Sequence, residues 1–366
     1  MVSIEGKQPL DEDTIISVVA KYIPFTEYYS RLDGSIEFVT YEMNIKDRFK
    51  NLIYALSEYG LLARVTKSND LYLNIIVFKE EEYKSRIKPW MPFALFIITT
   101  LVVFYDGIVR SQTTFAQAYI NDPIFMAILY VVSFMGILGV HEMGHMLAAK
   151  KHGVKSTWPL FIPGIPGLFV VPPTFGAIIF SRGNMINRDV LFDVGVSGPI
   201  AGLIITIIVS IYGASISPLV PEEVSEEQPG FITIPTSLLM MATFMLTDRI
   251  VEGFTVVLSP VAFAAWVGFI VTFLNLIPAW QLDGGHITRA ALGRRWHVYL
   301  TFTSIIALAA LGYIFWALFI LLMSSRMQDV KPLDDVSPLS KKRKIIYAVT
   351  LILAGLCAPM PQYLSF

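Results

Sequence analysis

His141, Glu142 and His145 form a His-Glu-x-x-His pentad in "GVHEMGHMLAAKK", directly after the uncharged run Pro123–Val140. On a helix, residues four apart share one face. His141 and His145 therefore present two imidazoles to one point, with Glu142 beside them. Two nitrogen ligands and a carboxylate that holds the attacking water are the pattern of zinc hydrolases. The competing explanation is a pair of histidines hydrogen-bonded to backbone carbonyls inside a helix bundle. Ionisable groups at bilayer depth are costly and mark functional sites, which favours the metal.

A catalytic zinc needs a third protein ligand and an open fourth position. Asp283, in "NLIPAWQLDGGH", ends the long uncharged run Phe254–Leu282. The helical rise puts His141 about 14 Å from Lys150, and Asp283 about 9 Å from Arg289. Both then lie at similar depth below one surface. Asp283 could also cap a helix near Gly284. His286, three residues on, competes for the ligand role, whereas His152 is expected to face water and His297 to be interfacial.

The elements that must carry these residues read as membrane helices. Of 366 residues 54% are hydrophobic and 16% charged, against about 25% charged in soluble domains. A spanning helix needs about 20 mostly apolar residues. Candidate runs are Pro89–Tyr105, Pro123–Val140, Val194–Pro221, Phe254–Leu282, Val298–Ser325 and Ile345–Phe366, the last shortened by Pro359 and Pro361. The fold expected is a polytopic α-helical membrane protein of about six spans. "IPTSLLMMATFML", Ile234–Leu246, is too short to cross and reads as an interfacial helix.

Lys and Arg set the orientation. Lys79, Lys84, Arg86 and Lys88 precede the first run, and Lys150, Lys151, Lys155, Arg182 and Arg188 separate the second and third. Arg289, Arg294 and Arg295 follow the fourth, while Arg110 and Arg249 stand alone in the intervening loops. This alternation puts the N-terminus in the cytoplasm, with the cell membrane as the expected home. Arg326, Lys331 and the Lys341–Lys344 cluster break the alternation. Either Val298–Ser325 turns back near Gly312 or the charge bias fails there.

Residues 1–88 alternate and repeat like a small α+β soluble domain and carry no chemical motif; residues 89–366 form the membrane domain, with its core at about 123–295. The acidic first 20 residues do not resemble a signal peptide. The net charge of −1 argues against a nucleic-acid partner. One cysteine, Cys357, excludes an internal disulfide and a Cys-rich zinc cluster.

"HEMGH" on the second run, "VSGPIAG" on the third and "NLIPAWQLDGG" on the fourth resemble the site-2 protease family of intramembrane zinc metalloproteases. The downstream family pattern, Asn-x-x-Pro-x-x-x-Leu-Asp-Gly, is matched by Asn275, Pro278, Leu282, Asp283 and Gly284. The resemblance spans roughly Pro123 to Arg295 and implies one zinc per chain held by His141, His145 and Asp283, with Glu142 as the base. It implies a transition-state or substrate-holding role for Asn275, whose alternative is an interhelical hydrogen bond. "FVVPPTFGAIIFSRG", Phe169–Gly183, is strand-like, with turn signals at Pro172–Pro173, and too short to span, and within it "TFGAIIF", Thr174–Phe180, is similar to the family's membrane-associated β-hairpin. Gly176, Ala177 and Ile178 would then hold an extended substrate by strand addition, unless the hairpin only plugs the bundle. Gly198, Pro199, Ala201 and Gly202 are expected to pack helices closely.

The implied function is hydrolysis of peptide bonds within or near transmembrane segments of membrane proteins, in the lipid bilayer. The alternative is a catalytically silent membrane metal-binding or chaperone protein, for which an intact Glu142 is superfluous. A metal transporter would need a second polar pathway, and the outer runs offer none. Substrate identity and oligomeric state do not follow from the residues.

Overall fold

A computed structural model describes residues 11–68, 71–80, 87–113, 116–167, 172–179, 184–227, 234–324 and 331–360. The N-terminal part comprises α1 (Glu12–Tyr22), β1 (Glu27–Ser30), β2 (Ile36–Thr40), α2 (Lys46–Ser57), β3 (Leu61–Ser68) and β4 (Tyr72–Lys79). The strands form one antiparallel sheet in the order β1-β2-β4-β3. Alternate residues of β4 are buried, the pattern of a sheet with one covered face. Phe49, Leu52, Ile53 and Leu56 of α2 pack on that face.

Three helices among the described residues are long and apolar enough to cross a membrane: α3 (Met91–Ser111), α4 (Pro123–Lys151) and α5 (Arg188–Ser215). The chain is a membrane protein. Apolar side chains four apart, Phe93, Ile97, Leu101 and Tyr105 on α3 and Ile204, Ile208 and Tyr212 on α5, are exposed. Such stripes suit lipid and not water. Of the three helices, α4 and α5 start at side-chain caps. Asp122 accepts from the amides of Ile124 and Phe125 at 3.0 Å ahead of Pro123. Asn187 accepts from the Val190 amide at 3.0 Å. These are capping contacts of the standard kind.

Between α4 and α5, β5 (Leu160–Pro163) pairs antiparallel with β6 (Thr174–Ile178), and Phe96 of α3 packs edge-on against Phe161. The hairpin expected over Phe169–Gly183 therefore exists with its first strand upstream of Pro172–Pro173. Residues 169–171 and 180–183 of the expected segment lie outside the described residues.

After α5 come β7 (Leu219–Pro221), α6 (Glu222–Glu227), α7 (Leu238–Leu246) and β8 (Phe254–Val256). The nine-residue α7 does not cross; Trp266 donates its indole N–H to Pro235 O at 2.8 Å beside it. Next is α8 (Pro260–Leu276), buried on nearly every side, as befits a central helix. It stops short of a full span. Ile277 precedes Pro278 and is extended, at φ −59° and ψ 134°, the conformation a following proline imposes. The loop Ile277–Leu282 then feeds α9 (Asp283–Leu292) inside the protein.

The run Val298–Ser325 is not one span. It divides into α10 (Arg294–Ala310) and α11 (Ile314–Ser324), which pack together across a turn at Gly312, φ 88°. The chain thereby returns toward the basic face, and α12 (Lys341–Cys357) starts there, with Arg343 paired to Asp189 and Asp193 of α5. The charge conflict at the chain end is resolved by this turn. One buried cluster joins the N-terminal sheet to Ala149 and Val154 at the end of α4, Val190 and Leu191 of α5, and Ile287 and Ala290 of α9.

Candidate metal centre

α4 and α5 lie in close contact where the pentad sits. At Gly144 an added Cβ would stand 2.6 Å from Ser197 O, and at Gly198 one would stand 2.1 Å from Nε2 of His145. Only glycine leaves the His145 ring in this place, so the position expected to pack helices forms the seat of one imidazole. Gly202 does the same for His141, whose Cβ would lie 3.0 Å from an added methyl.

Three elements bring the donors together. His141 Nε2 and His145 Nε2 are 3.2 Å apart, and each lies 3.3 Å from Oδ2 of Asp283. Their donor atoms all fall within 4.8 Å of one another. Asp283 opens α9, and its neighbours explain the sequence that follows it. A Cβ at Gly284 would be 2.3 Å from the Leu276 and Ile277 carbonyls, and one at Gly285 would be 2.0 Å from Trp280 O. Two successive glycines are needed for α9 to fold back under the end of α8.

His145 is held by its other ring nitrogen. Nδ1–H donates to Val194 O at 2.7 Å, which fixes the tautomer and leaves Nε2 with a lone pair for a metal. Asn275, the penultimate residue of α8, places Nδ2 3.3 Å from His141 Nε2. Glu142 is buried, at 8% exposure, on the flank of the histidine face. His286 packs against α5 near Gly195, and among the described residues the metal-holding group comprises His141, His145 and Asp283 alone. His152 pairs with Asp193 at 3.0 Å, and His297 stacks on Trp280 and reaches its carbonyl at 3.0 Å.

Two imidazole nitrogens and one carboxylate oxygen around a common point suit zinc with an open position. The seat at Gly198 and the Val194 carbonyl orient Nε2 toward that point, so the residues fit the ion.

Sequence comparison agrees with this geometry. The family profile described as Peptidase family M50 matches residues 129–319, more than half of the chain. The chain belongs to peptidase family M50. The site-2 protease resemblance therefore holds. The chain is similar to "Probable zinc metalloprotease EGY2, chloroplastic" of Oryza sativa subsp. indica, 25% identical over 324 residues, covering 83% of this chain and 56% of that protein. The protein of the same name from Arabidopsis thaliana is 25% identical over 340 residues, 88% of this chain and 58% of the relative. "Probable zinc metalloprotease EGY1, chloroplastic" of Arabidopsis thaliana is 29% identical over 234 residues, 61% and 41% of the two chains. The chain thus spans little more than half the length of the two EGY2 proteins and less than half of EGY1. No solved structure matches it. Their printed names place the relatives in the chloroplast, and nothing in them supports the cell membrane or a cytoplasmic N-terminus.

The hairpin departs in one respect from expectation. Gly176, at φ 90°, sits where the β5–β6 register shifts, and its N–H donates to Thr174 Oγ1 at 3.1 Å. That amide is taken. Ala177 packs against the membrane core, while Ile178 is exposed. Val194 O and Gly198 escaped sequence reasoning as functional positions. A carbonyl leaves no residue-type signal, and the small residue at 198 looked like ordinary helix packing.

Proposed function

We propose that this M50 protein is a zinc metalloprotease that hydrolyses peptide bonds within or near transmembrane segments of other membrane proteins. The observation that carries the reading is the convergence of His141, His145 and Asp283 on one point, deep among apolar helices, with Glu142 beside it. In this reading the three residues hold one zinc. Bound zinc would supply Lewis acidity, which brings the pKa of water to about 7. Glu142 takes a proton from the attacking water and returns it to the leaving amine. Asn275 Nδ2 donates to the scissile carbonyl oxygen as it gains charge.

A helical substrate buries its peptide bonds in i→i−4 hydrogen bonds and must be extended before attack. Among the described residues β6 has a strand partner on one side only, and Ala177 and Ile178 on its other edge can receive an extended segment by β-augmentation. Gly176 contributes shape to that edge through its bulge. The N-terminal α+β domain, 1–88, lies in this proposal on the Lys/Arg-rich side of the membrane, where the ends of α4 and α9 meet its sheet, and 89–366 is the protease domain.

Purified full chain should cleave a designed transmembrane peptide in detergent, lose cleavage with a zinc chelator and regain it with added zinc. Glu142→Gln should keep its zinc and cleave about two to four orders of magnitude more slowly. Chelator-resistant cleavage, or a Glu142→Gln rate equal to the parent, would refute the mechanism.

A further inference from the structure

Arg289, on α9 six residues beyond Asp283, is 1% exposed. Its guanidinium donates to Oδ1 of Asp335 at 2.9 Å and to Oδ2 at 2.6 Å. Arg188 Nε adds a bond to Oδ1 at 3.1 Å, and a second Arg188 nitrogen reaches Asp335 O at 2.7 Å. Forked pairing of this kind fixes orientation as well as charge.

Asp335 belongs to a strap, 331–340, between α11 and α12. Leu333 O accepts the Val65 N–H of β3 at 2.8 Å, and Leu333 N–H donates to Met185 O at 2.8 Å. Asp334 N–H donates to Ile186 O at 2.8 Å, and single bridges join Asp334 to Val65 and to Asn187. The strap is thus a short strand laid between the open edge of the N-terminal sheet and the lead-in to α5. Lys46 of α2 donates to Pro338 O at 2.9 Å, and the Ser340 amide donates to Asp189 Oδ1 at 3.1 Å.

α9 is 10 residues long and has no side-chain cap at Leu282, so its contacts decide its orientation. At about 100° per residue, Arg289 points roughly 240° around the axis from Asp283. A fixed fork there opposes rotation of α9, and rotation is the motion that would carry Asp283 Oδ2 away from both imidazoles. Tyr347 of α12, 3.1 Å from Thr288 Oγ1, is a second and weaker restraint.

We propose that Asp335 is a positioning residue for the metal centre: through Arg289 it sets the rotation of α9, so the strap and the N-terminal sheet behind it belong to the catalytic unit. The inference rests on Asp283 being a ligand and on the protease reading. Partners of buried metal ligands typically cost 10- to 100-fold in affinity or activity when removed.

The test uses the full chain in detergent, measuring zinc affinity by chelator competition and kcat and KM on a designed transmembrane peptide. Asp335→Asn should weaken zinc about 10-fold and lower kcat about 10-fold with KM near the parental value. Asp335→Glu should recover most of both, and Arg48→Ala, which breaks an exposed pair with Glu42 in the same sheet module, should change neither. If Asp335→Asn does not accumulate, Arg289→Lys keeps both charges, loses the fork and should still weaken zinc several-fold. Parental zinc affinity and kcat in folded Asp335→Asn or Arg289→Lys would overturn the inference. Absence of cleavage by the parent would instead sink the protease reading, and the zinc titration would still decide the role of Asp335.

Discussion

The two halves of the metal centre are built in opposite ways. His141 and His145 ride on α4, a 29-residue helix long and apolar enough to cross a membrane and basic at its end. Asp283 stands at the first position of a 10-residue helix that follows a broken one. The first half needs only helical periodicity and a glycine seat on α5. The second needs Pro278 to stop α8, two glycines to let α9 fold under it, and Arg289 to hold the far end. A short element with many special residues specifies one ligand, and a long regular element specifies two.

Substitutions at the two glycine contacts should separate the halves. Gly284→Ala pushes a methyl against backbone carbonyls that cannot give way, 2.3 Å from its Cβ. It should destabilise the protein by about 1–3 kcal/mol, seen as a lowered melting temperature in detergent, and should lose zinc as well. Gly198→Ala meets the tip of a side chain. The His145 ring can swing aside at little folding cost, so melting of the metal-free protein should barely move while zinc affinity falls about 10- to 100-fold. Equal melting for both variants would erase the distinction between the halves.

The hairpin offers a smaller test of whether the edge of β6 does chemistry or only packs. Gly176 has φ 90°, which proline cannot adopt, so Gly176→Pro should distort the bulge and reduce cleavage strongly. Ile178→Val, which leaves the backbone intact, should change cleavage less than about twofold. Both should retain zinc. Full activity in a zinc-replete Gly176→Pro variant would leave the hairpin as packing.

Much of the centre was legible because helices impose a period: four residues separate His141 from His145, and depth counted from Lys150 and Arg289 matched Asp283 to them. What escaped is non-local. The strap pairs residue 333 with residues 65 and 185, a strand addition with no alternation of its own to announce it. The turn at Gly312 lies in an apolar run whose hydropathy does not mark it; only Arg326, Lys331 and the Lys341–Lys344 cluster raised it, as one of two readings of the chain end. Val194 acts through its carbonyl, which every residue possesses. The partner of β6 was misplaced because Pro172–Pro173 reads as the hairpin turn, whereas β5 lies before it.

Zinc-edge X-ray absorption on the purified full chain bears most directly on the central claim. The expected spectrum has two imidazole nitrogens and oxygen donors at about 2.0–2.1 Å and no sulfur, with the imidazole count unchanged in His286→Ala. A third imidazole that disappears in His286→Ala would remove Asp283 from the ligand set, and a protein that binds no zinc would contradict the account altogether.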